Sequence, residues 1–321
     1  MDILLRLHVK EYPIESPIKT ASGTIKSKKE LLISFEIDSK IRFAIEIPLS
    51  PSSGESYEEL VSKFDAKNYR KSEHTMNAIS YFIGMHLRPH KLHKFKSELS
   101  YKTIGISDNF MGYLTSDIVK IKASPDSLES VKDLLINKPP KTQCVVDFNS
   151  SLSPKALNEI LCIFHEFDIY GYEQPLRPGL DSNLVETQSN LYIADESLPI
   201  IGYDNLLRYG YRGFIFKTFR NSFNSLKKCN ENKHNLFGVV GNNMSGAFDI
   251  QFSAIINEYM PVKINNYSVQ SFFKTHPLND ENIYMIYSGV IELTTVAIDY
   301  LGKLPVVSSF TLSQKKTLPS I

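Results

Sequence analysis

Cysteine is scarce in this sequence, with only three among 321 residues. Cys144, Cys162 and Cys229 are odd in number and lie far apart along the chain. This spacing argues against a disulfide framework and against a cysteine-ligated zinc site. We therefore expect free, buried thiols of a reduced compartment, with Cys144 and Cys162 on the apolar faces of a strand and a helix.

The sequence also has no excess of positive or of negative charge. Lysine and arginine together number 36, aspartate and glutamate number 35, and the formal net charge is +1. This balance gives no global attraction to nucleic acid or to an anionic membrane. No apolar run approaches the roughly 18 residues of a membrane span. The opening "MDILLRLHVKEYPIES" carries charges inside its apolar part, so we expect no signal peptide and a soluble, cytoplasmic protein. The sequence does not decide between a monomer and a homo-oligomer.

The first hundred residues have an α+β pattern. "DILLRLHVK" and "KELLISFEIDSKIRFAIEIPL" are rich in β-branched and aromatic residues, which predicts strands with a turn near Asp38-Ser39. Ser56 followed by Glu59 predicts a helix start with a capping box. Residues from about 72 to 98 are predicted to be helical. We expect a first domain over 1–100, completed by about 290–321, which returns to a strand-and-turn pattern.

From about residue 100 the chain alternates regularly between short apolar runs and helical patterns. The runs are "YKTIGIS", "DIVKIKAS", "QCVVDFN", "IYGYEQP", "LYIADES", "GFIFKTF" and "LFGVVGN". Their spacing accommodates one strand and one helix each, which predicts parallel strands. Seven such strands within a short length favour a closed barrel over an open sheet. "VKINNYS" is the candidate for an eighth strand.

Five successive strands of this predicted barrel place an ionisable residue near their carboxyl ends, where barrels of this type carry their chemistry. The residues are Lys120, Lys122, Asp147, Glu173, Asp195 and Lys217. A closed barrel brings the three central carboxylates towards one point and leaves lysines on opposite sides of it. Asp195 is followed directly by Glu196, and since adjacent strand residues face opposite ways, only one of the two can be a ligand. Asp147 could alternatively cap the next helix, although Asn149 or Ser150 is the better cap candidate.

Three carboxylates in one cavity repel each other, so a cation is the natural partner. A site built only of oxygen ligands favours a hard metal, which is Mg²⁺, with Mn²⁺ as the alternative. The open coordination positions would accept a substrate carboxylate and stabilise the enolate formed when a base removes its α proton. A lysine serves as that base when a neighbouring positive charge lowers its pKa.

The same segments resemble the enolase superfamily, specifically its muconate lactonizing enzyme subgroup. "KIK" is similar to the family's Lys-x-Lys motif, and "FK" is similar to its opposite lysine. "DFN", "EQP" and "ADES" are similar to its three metal-ligand strand ends. The resemblance implies an α/β fold with a modified (β/α)7β TIM-like barrel over 101–289. It also implies that the α+β region over 1–100, with about 290–321, is an N-terminal capping domain.

The resemblance assigns a role to each ionisable residue. The implied Mg²⁺ ligands are Asp147, Glu173 and Asp195. Lys122 would be the base, Lys120 its electrostatic helper, and Lys217 the second catalytic lysine.

Within the subgroup, the o-succinylbenzoate synthase family is the most similar. "KTASG" is like the opening of that family's capping domain, and the resemblance implies that its Thr20 contacts substrate. Asn242, Asn243 and Ser245 in "GNNMSG" are expected to line the barrel mouth, with a tight-turn role as the alternative. The implied function is Mg²⁺-dependent dehydration of a small-molecule carboxylate in menaquinone biosynthesis.

Two alternatives stay open at the level of the sequence. The first is a dipeptide epimerase or N-acylamino acid racemase of the same superfamily, which would use both lysines. "KINNYS" lacks the Asp-x-Asp that would favour dipeptide epimerases. The second is a barrel that has lost catalysis and acts as a binding protein.

Overall fold

A computed structural model describes most of the chain. The described residues are 2–20, 23–49, 55–95, 99–104, 118–184, 191–231, 237–240, 246–260, 263–266, 276–278, 281–287 and 290–313. The strands are β1 (Asp2–Thr20), β2 (Gly23–Ile37), β3 (Lys40–Glu46), β4 (Leu99–Ile104), β5 (Ile118–Lys122), β6 (Gln143–Asp147), β7 (Ile169–Glu173), β8 (Leu191–Ala194), β9 (Tyr211–Phe216), β10 (Phe237–Val240), β11 (Lys263–Asn266), β12 (Tyr284–Tyr287), β13 (Val290–Leu293) and β14 (Val306–Ser313). The helices are α1 (Tyr57–Lys63), α2 (Glu73–Tyr81), α3 (Leu128–Ile136), α4 (Pro154–Phe164), α5 (Ser197–Ile201), α6 (Tyr203–Arg208), α7 (Phe223–Glu231), α8 (Ala247–Asn257) and α9 (Thr295–Lys303). Among these described segments, no helix is long and apolar enough to cross a membrane.

The N-terminal strands form an antiparallel sheet in the order β14-β1-β2-β3. The last strand, β14, pairs with β1 from Asp2 opposite Ser313 onwards, so both ends of the described chain contribute to this sheet. Apolar residues at alternate positions bury one face of it, and the Phe35 ring stacks on Phe82 with centroids 4.4 Å apart. This burial holds α2 and the turn that follows it against the sheet.

The predicted helix start at Ser56 is confirmed, because Ser56 and Glu59 form a reciprocal capping box. The predicted helix over 72–98 is too long. Helix α2 continues as a π-helical turn over Phe82–Leu87, and residues 88–95 are not helical. Pro89 explains the end, because the residue before a proline is disfavoured in the helical conformation.

The parallel strands follow the order β10-β11-β4-β5-β6-β7-β8-β9, and β9 pairs in turn with β10, which closes the ring. Each predicted run overlaps one of the strands β4 to β10, and "VKINNYS" contains β11. The fold is therefore mixed α/β, with a parallel sheet and an antiparallel N-terminal sheet. The helix count of the (β/α)7β pattern and the domain boundaries stay predictions, because residues 105–117 between β4 and β5 lie outside the described part.

Helix α4 shows how the surrounding helices pack. Ser153 accepts a hydrogen bond from the backbone nitrogen of Ala156 and caps this helix, so the expectation that Asn149 or Ser150 caps it is wrong. Those two residues instead adopt positive φ angles of 44° and 65° in the turn after β6. Polar side chains that tolerate this backbone region suit such a turn.

The apolar face of α4 is confirmed in its main contacts. Helical spacing predicts one apolar face of four residues, of which Leu157, Ile160 and Phe164 are buried and Leu161 is half-buried. The prediction for Cys162 is wrong, because this residue lies on the exposed side of the helix, whereas Cys144 and Cys229 are buried. The expected strand-and-turn pattern near the end is also incomplete, since α9 forms between β13 and β14.

Candidate active site

The interior of the parallel barrel has an apolar layer beneath its ionisable residues. Ile118, Val145, Ile193 and Ile215 form a separate buried cluster, one from each of four strands. Because strand side chains repeat every two residues, the residues two positions later face the same interior. Those residues are Lys120, Asp147, Asp195 and Lys217. The layer supports the charged groups from below and separates them from the opposite end of the barrel.

Gly171 holds the corresponding lower position on β7. A Cβ atom there would lie 2.6 Å from the carbonyl oxygen of Leu191 and 3.3 Å from Ile193 Cδ1. A side chain at this position would therefore force β7 and β8 apart. Two residues later, Glu173 ends β7 and is fully buried. The glycine thus permits the close strand packing on which the position of Glu173 depends.

Lys120 connects two of the three predicted metal ligands. Its Nζ lies 2.7 Å from Glu173 Oε1 and 3.1 Å from Asp147 Oδ2. One ammonium group therefore reaches two carboxylates on adjacent strands. The Lys120 side chain is only 8% exposed, so its positive charge acts on the buried carboxylates and not on solvent.

Lys122 lies at the open end of the same strand. Its Nζ donates to Asp147 Oδ2 at 2.6 Å and to Asn149 Oδ1 at 2.9 Å. Its side chain is 36% exposed, compared with 8% for Lys120. Of the two lysines of this strand, Lys122 is therefore the one that a molecule entering from solvent can reach.

The two neighbouring carboxylates, Asp147 and Glu173, have pKa values that are shifted in opposite directions. Burial opposes ionisation of Asp147, but Lys120 and Lys122 outweigh it and hold the pKa of Asp147 well below its ordinary value. Burial and the negative charge of Asp147 raise the pKa of Glu173 to about 7, although Lys120 opposes the shift. The carboxylates thus feel each other's charge, as the sequence argument for a cation requires.

The third carboxylate has its own pair of cations. Lys217 Nζ lies 2.5 Å from Asp195 Oδ2 and 2.9 Å from Asp195 Oδ1, and Arg220 Nη2 also donates to Asp195 Oδ1. Burial raises the pKa of Asp195, but the charges of Arg220 and Lys217 reverse the effect and leave it below the ordinary value. Burial lowers the pKa of Lys217, with Asp195 acting in the opposite direction.

Glu196, next to Asp195, belongs to the same cluster of charges, because Asp195, Lys217 and Asp147 all act on it. It is half-buried and accepts a weak hydrogen bond from Ser150 Oγ at 3.5 Å. Burial and the charge of Asp195 raise the pKa of Glu196. Its position is consistent with a supporting role beside the three carboxylates.

The strand order places the lysines of β5 and β9 across the barrel from each other. Three strands, β6 to β8, separate them in one direction and three others separate them in the other. The acids of β6, β7 and the β8 end lie between them on the first path. Lys122 and Lys217 therefore flank the carboxylate cluster on opposite sides.

Two residues that support this arrangement were missed by sequence reasoning. Arg220 is buried, and the only signal for it was a charged residue three positions after Lys217. Gln174, the middle residue of "EQP", is fully buried at a positive φ of 36°. Its Oε1 accepts from the backbone nitrogens of Asp195 at 2.9 Å and Ser197 at 3.0 Å. The side chain of Gln174 thus fixes the strand end that carries Asp195.

Four residues predicted to contact substrate are not placed by the structure. Asn242, Asn243 and Ser245 lie outside the described residues. Thr20 ends β1, and its side chain is likewise outside the described part. Their proposed substrate contacts stay predictions.

The helix that follows the segment 241–245 is anchored from the N-terminal sheet. Glu46, at the end of β3, is fully buried and accepts from the backbone nitrogens of Gly246 at 2.7 Å and Asp249 at 3.0 Å. A carboxylate at the start of α8 satisfies free N–H groups and complements the helix dipole. The stretch around Phe43 and Ala44, which precedes Glu46, is regular strand in β3.

The donor set suits a hard divalent cation. It contains three carboxylates on neighbouring strand ends, and one ammonium group already bridges two of them. Among the residues that the structure describes, no group of three or more His, Cys, Asp and Glu side chains is spaced as a preformed metal site. The carboxylate oxygens are instead paired with Lys120, Lys122, Lys217 and Arg220. The chemistry of the donors fits Mg²⁺, and binding requires these ion pairs to rearrange.

Comparison with known proteins gives a likeness in structure only. The chain matches no protein-family model, and no curated protein is significantly similar to it in sequence. Among solved structures, N-succinyl Arg/Lys racemase from Bacillus cereus is 11% identical, with a TM-score of 0.69 over 98% of this chain and 100% of the racemase. L-Ala-D/L-Glu epimerase from Bacillus subtilis is 14% identical, with a TM-score of 0.63 over 90% of this chain and 95% of the epimerase.

A third structure represents the family that the sequence motifs resemble most. o-Succinylbenzoate synthase from Thermosynechococcus elongatus, with Mg in its active site, is 17% identical and has a TM-score of 0.55. The likeness covers 83% of this chain and 92% of the synthase. At these identities the comparisons establish the fold, which is that of enolase-superfamily structures. The predicted resemblance is confirmed at that level.

Proposed function

We propose that this chain, which has the enolase-superfamily fold, is a Mg²⁺-dependent enzyme that removes the proton α to a carboxylate. The observation that carries the proposal is the pair of lysines on β5 and β9, which flank three buried carboxylates from opposite sides of one barrel mouth. Structural packing alone gives no reason to bury three acids and Lys120 together, because burying each charge is costly.

The reaction we favour is the dehydration catalysed by o-succinylbenzoate synthase, which makes the chain a carbon–oxygen lyase. The similarity of "KTASG" and of the strand-end motifs to that family supports this choice. Mg²⁺ would be held by Asp147, Glu173 and Asp195, with Mn²⁺ as the alternative. When bound, the ion would supply positive charge to stabilise the enediolate oxygens of the substrate.

The three lysines would have different roles in the reaction. Lys122, the more exposed lysine of β5, would take the α proton of the hydroxycyclohexadiene carboxylate on its neutral Nζ. The same group, now an ammonium, would give that proton to the departing β-hydroxyl, so that one water leaves and the ring becomes aromatic. Lys120 would keep its charge beside Lys122 and favour the neutral form of the base. Lys217, on the opposite side, would stabilise the developing anion as an ammonium group.

A second candidate is racemisation or epimerisation of an N-acylamino acid or dipeptide. The opposed lysines favour it, because one can remove the α proton from one face while the other returns a proton to the opposite face. The epimerase and racemase structures described above are named for such reactions. A third candidate is a barrel that binds a carboxylate without turnover.

Proton NMR in D₂O separates these functions. The protein with MgCl₂ would be incubated separately with the synthase substrate, N-succinyl-L-arginine and L-Ala-L-Glu. Appearance of aromatic signals from the first would support the lyase, and deuterium entering an α position without loss of water would support the racemase. A reaction in none of the three tubes would contradict both enzymatic proposals for these substrates and favour a binding protein.

Lysine variants test the assignment of roles. Lys122→Ala is expected to slow either reaction by a factor of roughly 10²–10⁴, the usual contribution of a general base. Lys155→Ala is the matched control, because this lysine is 89% exposed on the outer helix α4. Full activity of Lys122→Ala would refute the proposed base.

A further inference from the structure

Arg220 gives the carboxylate centre one more positive charge than the three lysines supply. It lies in the turn between β9 and α7, is 5% exposed, and donates through Nη2 to Asp195 Oδ1. Lys217, from the end of the same strand, pairs with the same carboxylate. Asp195 is therefore held by two cations before any ligand enters.

The turn that carries Arg220 is fixed from several sides. The backbone nitrogens of Arg220 and Asn221 both donate to the carbonyl oxygen of Lys217, at 2.9 and 2.8 Å. This folds the arginine back over the strand end. Helix α2 holds the turn from outside, because Asn77 Nδ2 donates to the carbonyl oxygen of Phe219 at 3.1 Å.

Further contacts reinforce this placement. The Phe219 ring stacks on His74 of α2, with centroids 5.7 Å apart and planes 7° from parallel. Thr218 Oγ1 donates to Asp249 Oδ1 at 2.7 Å and ties the turn to α8. These contacts fix the turn that carries Arg220, and the guanidinium group lies over the Phe219 ring, 5.9 Å from its centroid.

The formal charges of the described groups at this centre cancel. The acids are Asp147, Glu173, Asp195 and Glu196, and the cations are Lys120, Lys122, Lys217 and Arg220. Without the arginine the same set would carry one net negative charge. A divalent cation that enters the set must displace these ion pairs from the buried carboxylates, and the charge of Arg220 opposes it.

We propose that Arg220 is a resident counter-cation that weakens the binding of Mg²⁺ to this centre in the absence of other ligands. The inference rests on the proposed function, because it takes the three carboxylates as the metal site. A positive charge adjacent to an aspartate stabilises its anionic form by a factor of about 10–10³ against a proton. Mg²⁺ competes for the same oxygens with a larger charge, so removal of the arginine charge is expected to tighten Mg²⁺ binding at least about tenfold.

Isothermal titration calorimetry of the full-length protein with MgCl₂, with no substrate present, tests this directly. Arg220→Gln removes the charge but keeps a polar hydrogen-bond donor, and Arg220→Met removes both. Arg220→Lys keeps the charge. The matched control is Arg212→Met, because this exposed arginine lies on the same strand, β9. Circular dichroism and thermal melting would establish that each variant is folded.

The expected result is tighter Mg²⁺ binding by Arg220→Gln and Arg220→Met, with Arg220→Lys and Arg212→Met close to the wild type. Binding by the neutral variants that is equal to or weaker than wild type would overturn the inference and make Arg220 a positioning residue for Asp195. Absence of Mg²⁺ binding in every variant would instead overturn the proposed function. Binding by the neutral variants alone would support both.

Discussion

Gln174 offers a direct test of how the β8 strand end is held in place. Its side-chain amide makes four short hydrogen bonds in a fully buried position. Oε1 accepts from the backbone nitrogens of Asp195 and Ser197, and Nε2 donates to the Leu176 carbonyl oxygen and to Ser197 Oγ, each at 2.7 Å. Replacement by alanine removes all four bonds without changing the backbone conformation that the residue must adopt.

The expected loss of stability follows from the polar groups that Gln174→Ala leaves without a hydrogen-bond partner. Two backbone N–H donors and one carbonyl oxygen lose their partner, whereas Ser197 Oγ still donates to Asp181 Oδ1 at 2.6 Å. Each buried polar group without a partner costs about 1–3 kcal/mol. Water that enters the space offsets part of this loss. Gln174→Ala is therefore expected to lower the free energy of unfolding by about 3–5 kcal/mol.

Urea denaturation followed by far-UV circular dichroism measures this free energy. Gln251→Ala is a matched control, because Gln251 also joins two backbone groups, donating to the Glu281 carbonyl oxygen and accepting from the Ile283 nitrogen. That glutamine is half-exposed, so water can replace its bonds and the expected loss is below about 1 kcal/mol. Equal losses in the two variants would refute the reasoning that buried amide bonds fix the strand end.

Three further outcomes are expected. Burial lowers the pKa of His8 from 6.5 to about 4, so the unfolded chain binds the extra proton and stability falls by up to about 3 kcal/mol as the pH drops through this range. Urea titrations of His8→Gln should lack this part of the pH dependence, and an unchanged pH profile would contradict it. Gly246→Ala places a Cβ atom 2.8 Å from both carboxylate oxygens of Glu46, so it should lower the free energy of unfolding by about 1–3 kcal/mol. A change below about 0.5 kcal/mol in the same urea assay would argue against the close contact. Ellman's reagent should label Cys162 rapidly in the folded protein and the other two cysteines only after denaturation; rapid labelling of more than one thiol would contradict their burial.

Predictions from the sequence succeeded where a residue's position depends on its own strand. The ionisable residues recur at the ends of short apolar runs, and strand geometry places alternate residues on one side. Strand geometry predicts that the carboxylates of Asp147, Glu173 and Asp195 converge, and the structure places Lys120 within hydrogen-bonding distance of the first two. The same pattern was also sufficient to predict the strand in "VKINNYS", although that run is short and polar.

Predictions failed where a position depends on how two segments meet. Arg220 reaches Asp195 because its turn folds back over Lys217. The spacing of residues in the sequence does not predict the conformation of that turn. The cap of α4 falls on Ser153 because the turn after β6 is longer than the minimum that the sequence suggested. Cys162 has the apolar neighbours of a core residue, but the helix rotation that buries Leu157 and Ile160 exposes it.

The distinction between lyase and racemase depends on a different kind of information. Both reactions begin with loss of the same α proton, so both require an accessible base and charge stabilisation of the same oxygens. The lysines and carboxylates described here satisfy these shared requirements and therefore cannot discriminate between the two outcomes. What does discriminate is the fate of the proton after the first step. In the lyase the lysine that removed the proton also protonates the leaving hydroxyl, whereas in the racemase the opposite lysine must deliver one to carbon. Removal of Lys217 should therefore leave α-proton exchange from the face served by Lys122 in a racemase while abolishing interconversion, and should slow every step in a lyase that needs its charge.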